Sequence, residues 1–182
     1  MIPIKTILQS LRILLVLTVL TGIVYPLVVT VIARVAFPDA ASGSLVKNAG
    51  QIVGSALLAQ KSESPKYFWP RPSAGDFATI ASGASNLGPT SDALKKLVAE
   101  RREKFGDDAP AEVLTASASG LDPHISPASA KQQARRIASE RKLPLDQLEM
   151  LIAQFTEGPQ LGFLGEPRVN VLALNLALDA QR

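Results

Sequence analysis

The chain has no cysteine and only one histidine among its 182 residues. Without cysteine it can form no disulfide framework, so cysteine usage does not indicate a cellular compartment. One histidine without cysteine leaves too few nitrogen and sulfur ligands for a zinc centre, and the carboxylates are scattered along the sequence. We therefore expect no metal site and no tightly bound cofactor.

Common catalytic motifs are also missing. The sequence contains no G-x-x-x-x-G-K-[ST] phosphate loop and no G-x-G-x-x-G dinucleotide fingerprint. The G-x-S-x-G turn that presents a nucleophilic serine in α/β-hydrolases is absent as well. These absences argue against a self-contained enzyme.

Acidic residues are lacking from the N-terminal segment. All 16 Asp and Glu residues lie at or after Asp39, whereas Lys5, Arg12 and Arg34 precede it. The remainder of the chain is neutral, so the net charge of +3 belongs to the N-terminal segment. Nucleic-acid recognition requires a basic face on the folded domain. We therefore expect no nucleic-acid partner.

A long uncharged run lies within this basic segment. It begins at Ile13, ends at Ala33, and is flanked by Arg12 and Arg34. At about 1.5 Å per residue it would form a helix of roughly 31 Å, close to the thickness of a bilayer core. A cleaved signal peptide has a shorter apolar region followed by small residues, which this sequence lacks. A helix that is apolar on every face is rare in a soluble core. The run is best interpreted as an uncleaved anchor in the lipid bilayer.

The flanking charges predict an orientation. Two basic residues, Lys5 and Arg12, precede the span, and only Arg34 follows it closely. Because the more basic flank usually lies in the cytoplasm, this difference favours a cytoplasmic N-terminus. We expect a single-pass protein of the inner (plasma) membrane with an extracytoplasmic (periplasmic) C-terminal domain. The predicted parts are a cytoplasmic N-terminus at 1–12, a transmembrane helix at 13–33, a linker at 34–44, and one mixed α/β domain of the α+β class at 45–182.

One face of the span has small and polar residues. Thr18 and Gly22 form a small-x-x-x-small pair that permits close helix packing, and Tyr25 lies near the same face. Pro26 cannot donate to the Gly22 carbonyl, so we expect a kink or another donor there. Packing against a partner helix and simple tolerance of these residues in a lone span both remain open.

Hydrophobic periodicity and capping residues predict the elements of the C-terminal domain. Residues 67–73 combine aromatics with prolines and are expected to be extended. The expected elements are a strand or short helix within 45–60, helices at 91–105 and 146–155, a strand near 109–115, a helix beginning at Ser126-Pro127, and a strand to Val171 followed by a helix.

Ser119, Asp122 and the lone His124 lie close together in the sequence. A hydrolase would need such residues to converge in space, usually from distant parts of the chain. The favoured interpretation is an Asp-Pro turn that leads into a capped helix, with the serines bonding to loop backbone. An anchored hydrolase is the less favoured alternative.

Several specific segments follow the span in a fixed order. They are Gly54-Ser55 through Gln60, Tyr67-Phe68-x-x-Arg71-Pro72-Ser73, Ser82-Gly83-x-Ser85-Asn86-Leu87, the segment from Thr115 to Pro127, Gln133-x-x-Arg136 with Arg141, and Arg168-Val169-Asn170-Val171-Leu172-x-Leu174-Asn175. Together they resemble the C subunit of the bacterial Kdp potassium-transporting ATPase over nearly the whole chain.

The resemblance implies a non-catalytic subunit of a four-part complex. Its partners would be a channel-like potassium-binding subunit, a P-type ATPase subunit that hydrolyses ATP, and a small single-span subunit. The resemblance also implies a catalytic-chaperone role in which Gln60 contacts ATP, although Ala59 stands where the family often has glycine. An extracytoplasmic domain would instead act in assembly or at the outer potassium entrance. A membrane-tethered binding or sensor module is the alternative.

Overall fold

A computed structural model describes residues 3–181. The chain divides into two compact units, with the boundary between Leu45 and Val46. The first is built on one apolar helical segment, and the second combines helices with small sheets. The predicted α+β class is therefore confirmed.

The apolar segment is helical from Ile4 to Ala36, beyond both ends of the uncharged run. Its mean hydropathy is 2.4, and none of its most apolar window is buried. It consists of α1 (Ile4–Val19), a wide π turn (Leu20–Val24) and α2 (Tyr25–Ala36). At about 1.5 Å per residue, 33 residues are longer than a bilayer core requires. A short helix, α3 (Pro38–Ala41), lies within the expected linker.

The π turn explains how the span accommodates its proline. In a regular α-helix Pro26 would leave the Gly22 carbonyl without a donor, and its ring would crowd that carbonyl. The chain instead widens just before the proline, where the N–H of Tyr25 donates to the carbonyl of Leu20, five residues earlier. The expected irregularity at Pro26 is therefore an added residue in the helical turn.

The second unit begins with two paired strands, β1 (Leu45–Asn48) and β2 (Gln51–Ser55). A long loop leads to α4 (Asp92–Phe105), which ends at Gly106 with φ +94°. Helix α4 was predicted correctly, although Ser91 makes no side-chain capping bond. The strand expected near 109–115 is wrong, because Ala111–Leu114 forms a single helical turn, α5. Pro110 precedes it in an extended conformation that suits a helix start.

Two helices and a three-stranded sheet complete the unit. Helices α6 (Pro127–Arg141) and α7 (Leu145–Gln154) lie where the periodicity predicted them. Ser126 caps α6 by accepting from the Ser129 N–H, whereas α7 starts after Pro144 without a capping box. The strands are β3 (His124–Ile125), β4 (Thr156–Glu157) and β5 (Arg168–Asn170), followed by α8 (Val171–Asp179).

Strand β5 is central and antiparallel to both neighbours, so Val169 lies opposite Ile125 on one side and Thr156 on the other. The helices cover this small sheet, and Phe68 joins the core from the aromatic segment. The core residues are Phe68, Ile125, Ala130, Ala134, Ile137, Leu148, Leu151, Ile152, Val169, Val171, Leu174 and Leu178. The core therefore fixes the aromatic segment against α6 and α8.

Candidate functional site

The aromatic segment, residues 67–73, pairs with no strand within residues 3–181, yet the backbone of Phe68 and Trp69 is hydrogen-bonded on both sides. Phe68 is completely buried, and its N–H donates to Asn175 Oδ1 at 2.8 Å. Asn175 Nδ2 donates back to the Phe68 carbonyl at 3.0 Å. One side-chain amide from α8 thus replaces both hydrogen bonds that a neighbouring strand would supply.

Gln133 repeats this arrangement one residue later. The Trp69 N–H donates to Gln133 Oε1 at 2.8 Å, and Gln133 Nε2 donates to the Trp69 carbonyl at 3.1 Å. Gln133 is only 3% exposed, so its amide has little access to water. We call the pair Gln133 and Asn175 the amide clamp, because they hold adjacent residues from two different helices.

Arg136 covers the same segment from α6. Its guanidinium carbon lies 3.8 Å from the centre of the Trp69 ring, a cation–π contact. Its Nη2 donates to the Tyr67 carbonyl at 3.0 Å, and its Nη1 donates to the Pro65 carbonyl. Burial lowers the pKa of Arg136, because desolvation disfavours its charged form, and Glu140 opposes this shift. The charge is held by carbonyl oxygens and an aromatic face.

Tyr67 is fixed through the end of α8. Its hydroxyl donates to Asp179 Oδ2 at 3.0 Å, while Arg141 Nη2 donates to Asp179 Oδ1 at 2.7 Å. The Arg141 guanidinium also lies 4.7 Å from the centre of the Tyr67 ring. Sequence reasoning grouped Tyr67 and Arg141 by family likeness only and did not single out Asp179. Their convergence on one segment is a result of the fold.

Within residues 3–181, Ser119, Asp122 and His124 do not form a hydrolase triad: His124 Nδ1 lies 3.7 Å from Asp122 Oδ1, but no hydrogen bond joins His124 to Ser119. Arg71 donates to Asp122 Oδ2 at 3.2 Å, and the His124 backbone N–H donates to Asp122 Oδ1 at 3.0 Å. Ser119 accepts from the N–H of Leu121. These contacts match the turn interpretation, in which the carboxylate orders the loop before α6.

Gly120 lies where this loop closely approaches the loop that contains Ser73 and Gly83. Its φ is +70°, and a Cβ there would lie 3.0 Å from the Gly83 carbonyl oxygen and 3.1 Å from Ser73 Oγ. Any larger residue would combine backbone strain with a clash against main chain. The close approach explains why glycine suits this position.

Gln60 lies at the edge of a pocket of about 220 Å³. Its side chain is exposed and passes over Gly54, where a Cβ would lie 1.5 Å from Gln60 Nε2. Lys61, Tyr67 and Asp179 also line the pocket. The hydrogen bond to Asp76, followed in importance by the hydrogen bond to Glu63, raises the pKa of the Lys61 ammonium group. The pocket offers polar groups, while the role of Gln60 in nucleotide contact stays a prediction.

Five of the span residues singled out from the sequence are exposed: Ile13, Thr18, Gly22, Tyr25 and Pro26. Ala33, at the end of the uncharged run, is partly buried. A Cβ at Gly22 would meet no atom within 4 Å. The hydroxyl of Thr21 donates to the Leu17 carbonyl, so it does not point away as a free donor. Thr18 precedes the π turn, Gly22 lies within it and Tyr25 follows it, and all three residues are exposed.

Sequence reasoning missed the amide clamp. The available signal was an amide residue on the apolar face of each helix: Gln133 lies three positions after Ala130 and directly before Ala134, and Asn175 directly follows Leu174. Buried amides require partners, so such placement indicates a backbone to bind. No group of three or more His, Cys, Asp or Glu suitable for a metal ion occurs within residues 3–181.

Comparison with known proteins identifies the family of the chain. A family model described as "KdpC: K+-transporting ATPase, c chain" matches residues 7–180. The potassium-transporting ATPase KdpC subunit of Sorangium cellulosum is 51% identical over 183 residues, covering 95% of this chain and 96% of the relative. That of Cereibacter sphaeroides is 53% identical over 171 residues, covering 92% of each. That of Geobacter sulfurreducens is 50% identical over 184 residues, covering 96% and 97%. The chain therefore belongs to the KdpC family and is an accessory subunit of a K⁺-transporting ATPase.

Proposed function

We propose that this subunit is non-catalytic and promotes assembly of the transporter from the extracytoplasmic side of the membrane. One observation carries the proposal: the helical segment Ile4–Ala36 is apolar, and none of its most apolar window is buried. In a membrane complex such a segment is an anchor, and its basic N-terminal flank favours a cytoplasmic N-terminus.

The span also supplies a surface for a partner helix. In lipid, helices associate through close packing, because lipid chains are as apolar as leucine. Thr18 and Gly22 permit that approach, and Gly22 has open space where a side chain would stand. We assign the surface to a membrane helix of a partner subunit.

The partners follow from the family. We propose that the chain binds the channel-like potassium-binding subunit, the P-type ATPase subunit that hydrolyses ATP, and the small single-span subunit. The domain would then lie near the outer potassium entrance, where it stabilises the assembly or influences ion uptake. The amide clamp supports this role, because a contact surface needs a rigid scaffold and the clamp fixes a long irregular segment.

Direct ATP contact through Gln60 is the competing proposal, together with a binding or sensor role. The exposed Gln60 amide at the edge of a polar pocket favours a small ligand. An extracytoplasmic domain does not meet cytoplasmic ATP, because the bilayer core admits no such polar segment. Assembly from the outside and direct ATP contact are therefore mutually exclusive, and a single measurement of topology separates them.

Single-cysteine labelling in intact cells tests the topology. The chain has no cysteine, so substitution at exposed Glu103 gives a signal without background. We expect a membrane-impermeant maleimide to label Glu103→Cys in intact cells. Thr6→Cys, at the opposite end of the span, is the matched control and should react only after lysis. Protection of Glu103→Cys until lysis would overturn the extracytoplasmic assignment.

A further inference from the structure

A hydrogen-bonded turn at residues 160–165 presents large apolar side chains to solvent. The Gln160 N–H donates to the Leu164 carbonyl at 2.9 Å, and the Leu164 N–H donates to the Gln160 carbonyl at 2.9 Å. Within this closed turn, the side chains of Leu161, Phe163 and Leu164 are 83%, 74% and 49% exposed. We call these three residues the apolar tip.

The backbone of the apolar tip is strained at Leu161. Leu161 has φ +54°, a conformation that a branched leucine rarely adopts. Gly162 and Gly165 take the other positive-φ positions at +83° and +86°. No contact within the folded domain explains the position of Leu161, because its side chain remains exposed. Strain of this kind is typical of sites that hold a side chain ready for a ligand or partner.

The charges beside the apolar tip indicate whether the tip binds a protein or a membrane surface. Arg168 is paired with Glu157 at 3.0 Å, which leaves Glu166 exposed and without an ion pair within residues 3–181. Segments that lie in the membrane interface typically carry lysine or arginine beside their apolar residues, because these cations attract anionic lipid headgroups. The excess acidic charge here is unfavourable for that surface and complements a cation on a protein.

We propose that the apolar tip is a docking site that inserts into an apolar recess with a basic rim on a partner subunit of the K⁺-transporting ATPase. This inference rests on the proposed assembly role and adds the surface through which the folded domain makes contact. Leu161 and Phe163 fill the recess, and Glu166 faces the cation at its rim. A hydrophobic anchor inside a charged rim is the usual arrangement of a protein interface.

Photocrosslinking in the complete complex tests the contact. The photoreactive residue p-benzoylphenylalanine replaces Phe163 in the full chain, and the same residue replaces Ile80 as the control, since Ile80 is fully exposed in another loop. We expect irradiation to join the Phe163 variant to a partner subunit and to give no such product from the Ile80 variant. A product with lipid only, or no product, would overturn the proposal.

Substitutions test whether the contact contributes to binding. The double variant Leu161→Ser and Phe163→Ser, and separately Glu166→Lys, should each reduce co-purification of the partner subunits about tenfold or more. Ile80→Ser should leave it unchanged. The fluorescence of Trp69, the one tryptophan, verifies that each variant is folded. If the wild-type chain does not retain the partners, the assembly role fails as well. If the wild type retains them and the tip variants do so equally, only the apolar tip is excluded.

Discussion

The side chain of Asn175 binds the backbone of Phe68 through both of its polar atoms, with a donor distance of 3.0 Å in one direction and 2.8 Å in the other. The two residues are 107 positions apart in the sequence. A contact of this separation closes the domain around its core. The loss of Asn175 therefore leaves a buried N–H and a buried carbonyl of the same residue unpaired.

Asn175→Leu is expected to lower the free energy of unfolding of the full chain by about 2–4 kcal/mol, because each unpaired buried backbone group costs about 1–3 kcal/mol. Denaturant titration in detergent, followed by Trp69 fluorescence, measures the change. Asn48→Leu, at an exposed position in β1, is the control and should have little effect. Equal midpoints for the two variants would show that the amide clamp contributes nothing.

Arg136→Lys is expected to destabilise the domain by about 1–2 kcal/mol, because lysine cannot stack as a plane on Trp69 and donate to two carbonyls together. The tryptophan emission should also shift. The neighbouring Arg135 is exposed and provides the matched control Arg135→Lys. A similar shift in both variants would mean that charge near the helix matters and that the stacked contact does not.

Gly22→Leu is expected to reduce recovery of the partner subunits at least about fivefold, because a large side chain prevents close approach of a membrane helix. The monomer has space for it, so helical content by circular dichroism should not change. Val28→Leu, elsewhere on the span, should be neutral. Full recovery of partners with Gly22→Leu would favour the interpretation of the span as a simple anchor.

Gln60→Ala is expected to change the KM for ATP of the assembled transporter by less than about twofold, because an extracytoplasmic domain does not meet the nucleotide. Steady-state ATPase assays of the purified complex measure this. Ser62→Ala, on the same pocket, controls for general effects on that surface. A selective rise in KM with Gln60→Ala would instead support the catalytic-chaperone proposal.

His124→Ala is expected to leave potassium-stimulated ATP hydrolysis unchanged. The imidazole Nδ1 lies 3.7 Å from Asp122 Oδ1, but the hydrogen bonds of Asp122 to Arg71 and to the backbone N–H of residue 124 remain when the imidazole is removed. Asp122→Ala should lower stability by about 2 kcal/mol, since it unpairs a charge and a backbone donor. Loss of turnover with His124→Ala in a fully assembled complex would revive the hydrolase alternative.

The helices with a clear apolar stripe were predictable. In α7, Leu148, Leu151 and Ile152 follow helical spacing and are buried, and the Ser126 cap of α6 was recognised from its sequence. These features depend on residues close in the chain, which local physical rules describe. The order of motifs also led to the correct family.

The features that could not be predicted depend on short elements or on contacts between residues far apart in the sequence. Strands β3 and β4 have two residues each, too short for any alternation of apolar and polar side chains. The helical turn at Ala111–Leu114 was mistaken for a strand because four residues carry little periodicity. The amide clamp joins residues more than 60 positions apart, and its extended segment has no partner strand to predict. The exposure of Leu161 likewise follows from backbone geometry that the sequence does not specify.

The π turn in the anchor has a further geometric consequence. The π turn adds one residue to a single helical turn. Each residue beyond it therefore points in the direction that its preceding neighbour would have in a regular α-helix. A stripe traced from Thr18 toward Ala33 at α-helical spacing therefore changes phase by one residue, about 100° around the axis. A substitution scan along the span should thus show two sensitive stripes, one on each side of the π turn, with different phases. One straight partner helix can therefore pack continuously against only one of the two stripes, either the one before the π turn or the one after it.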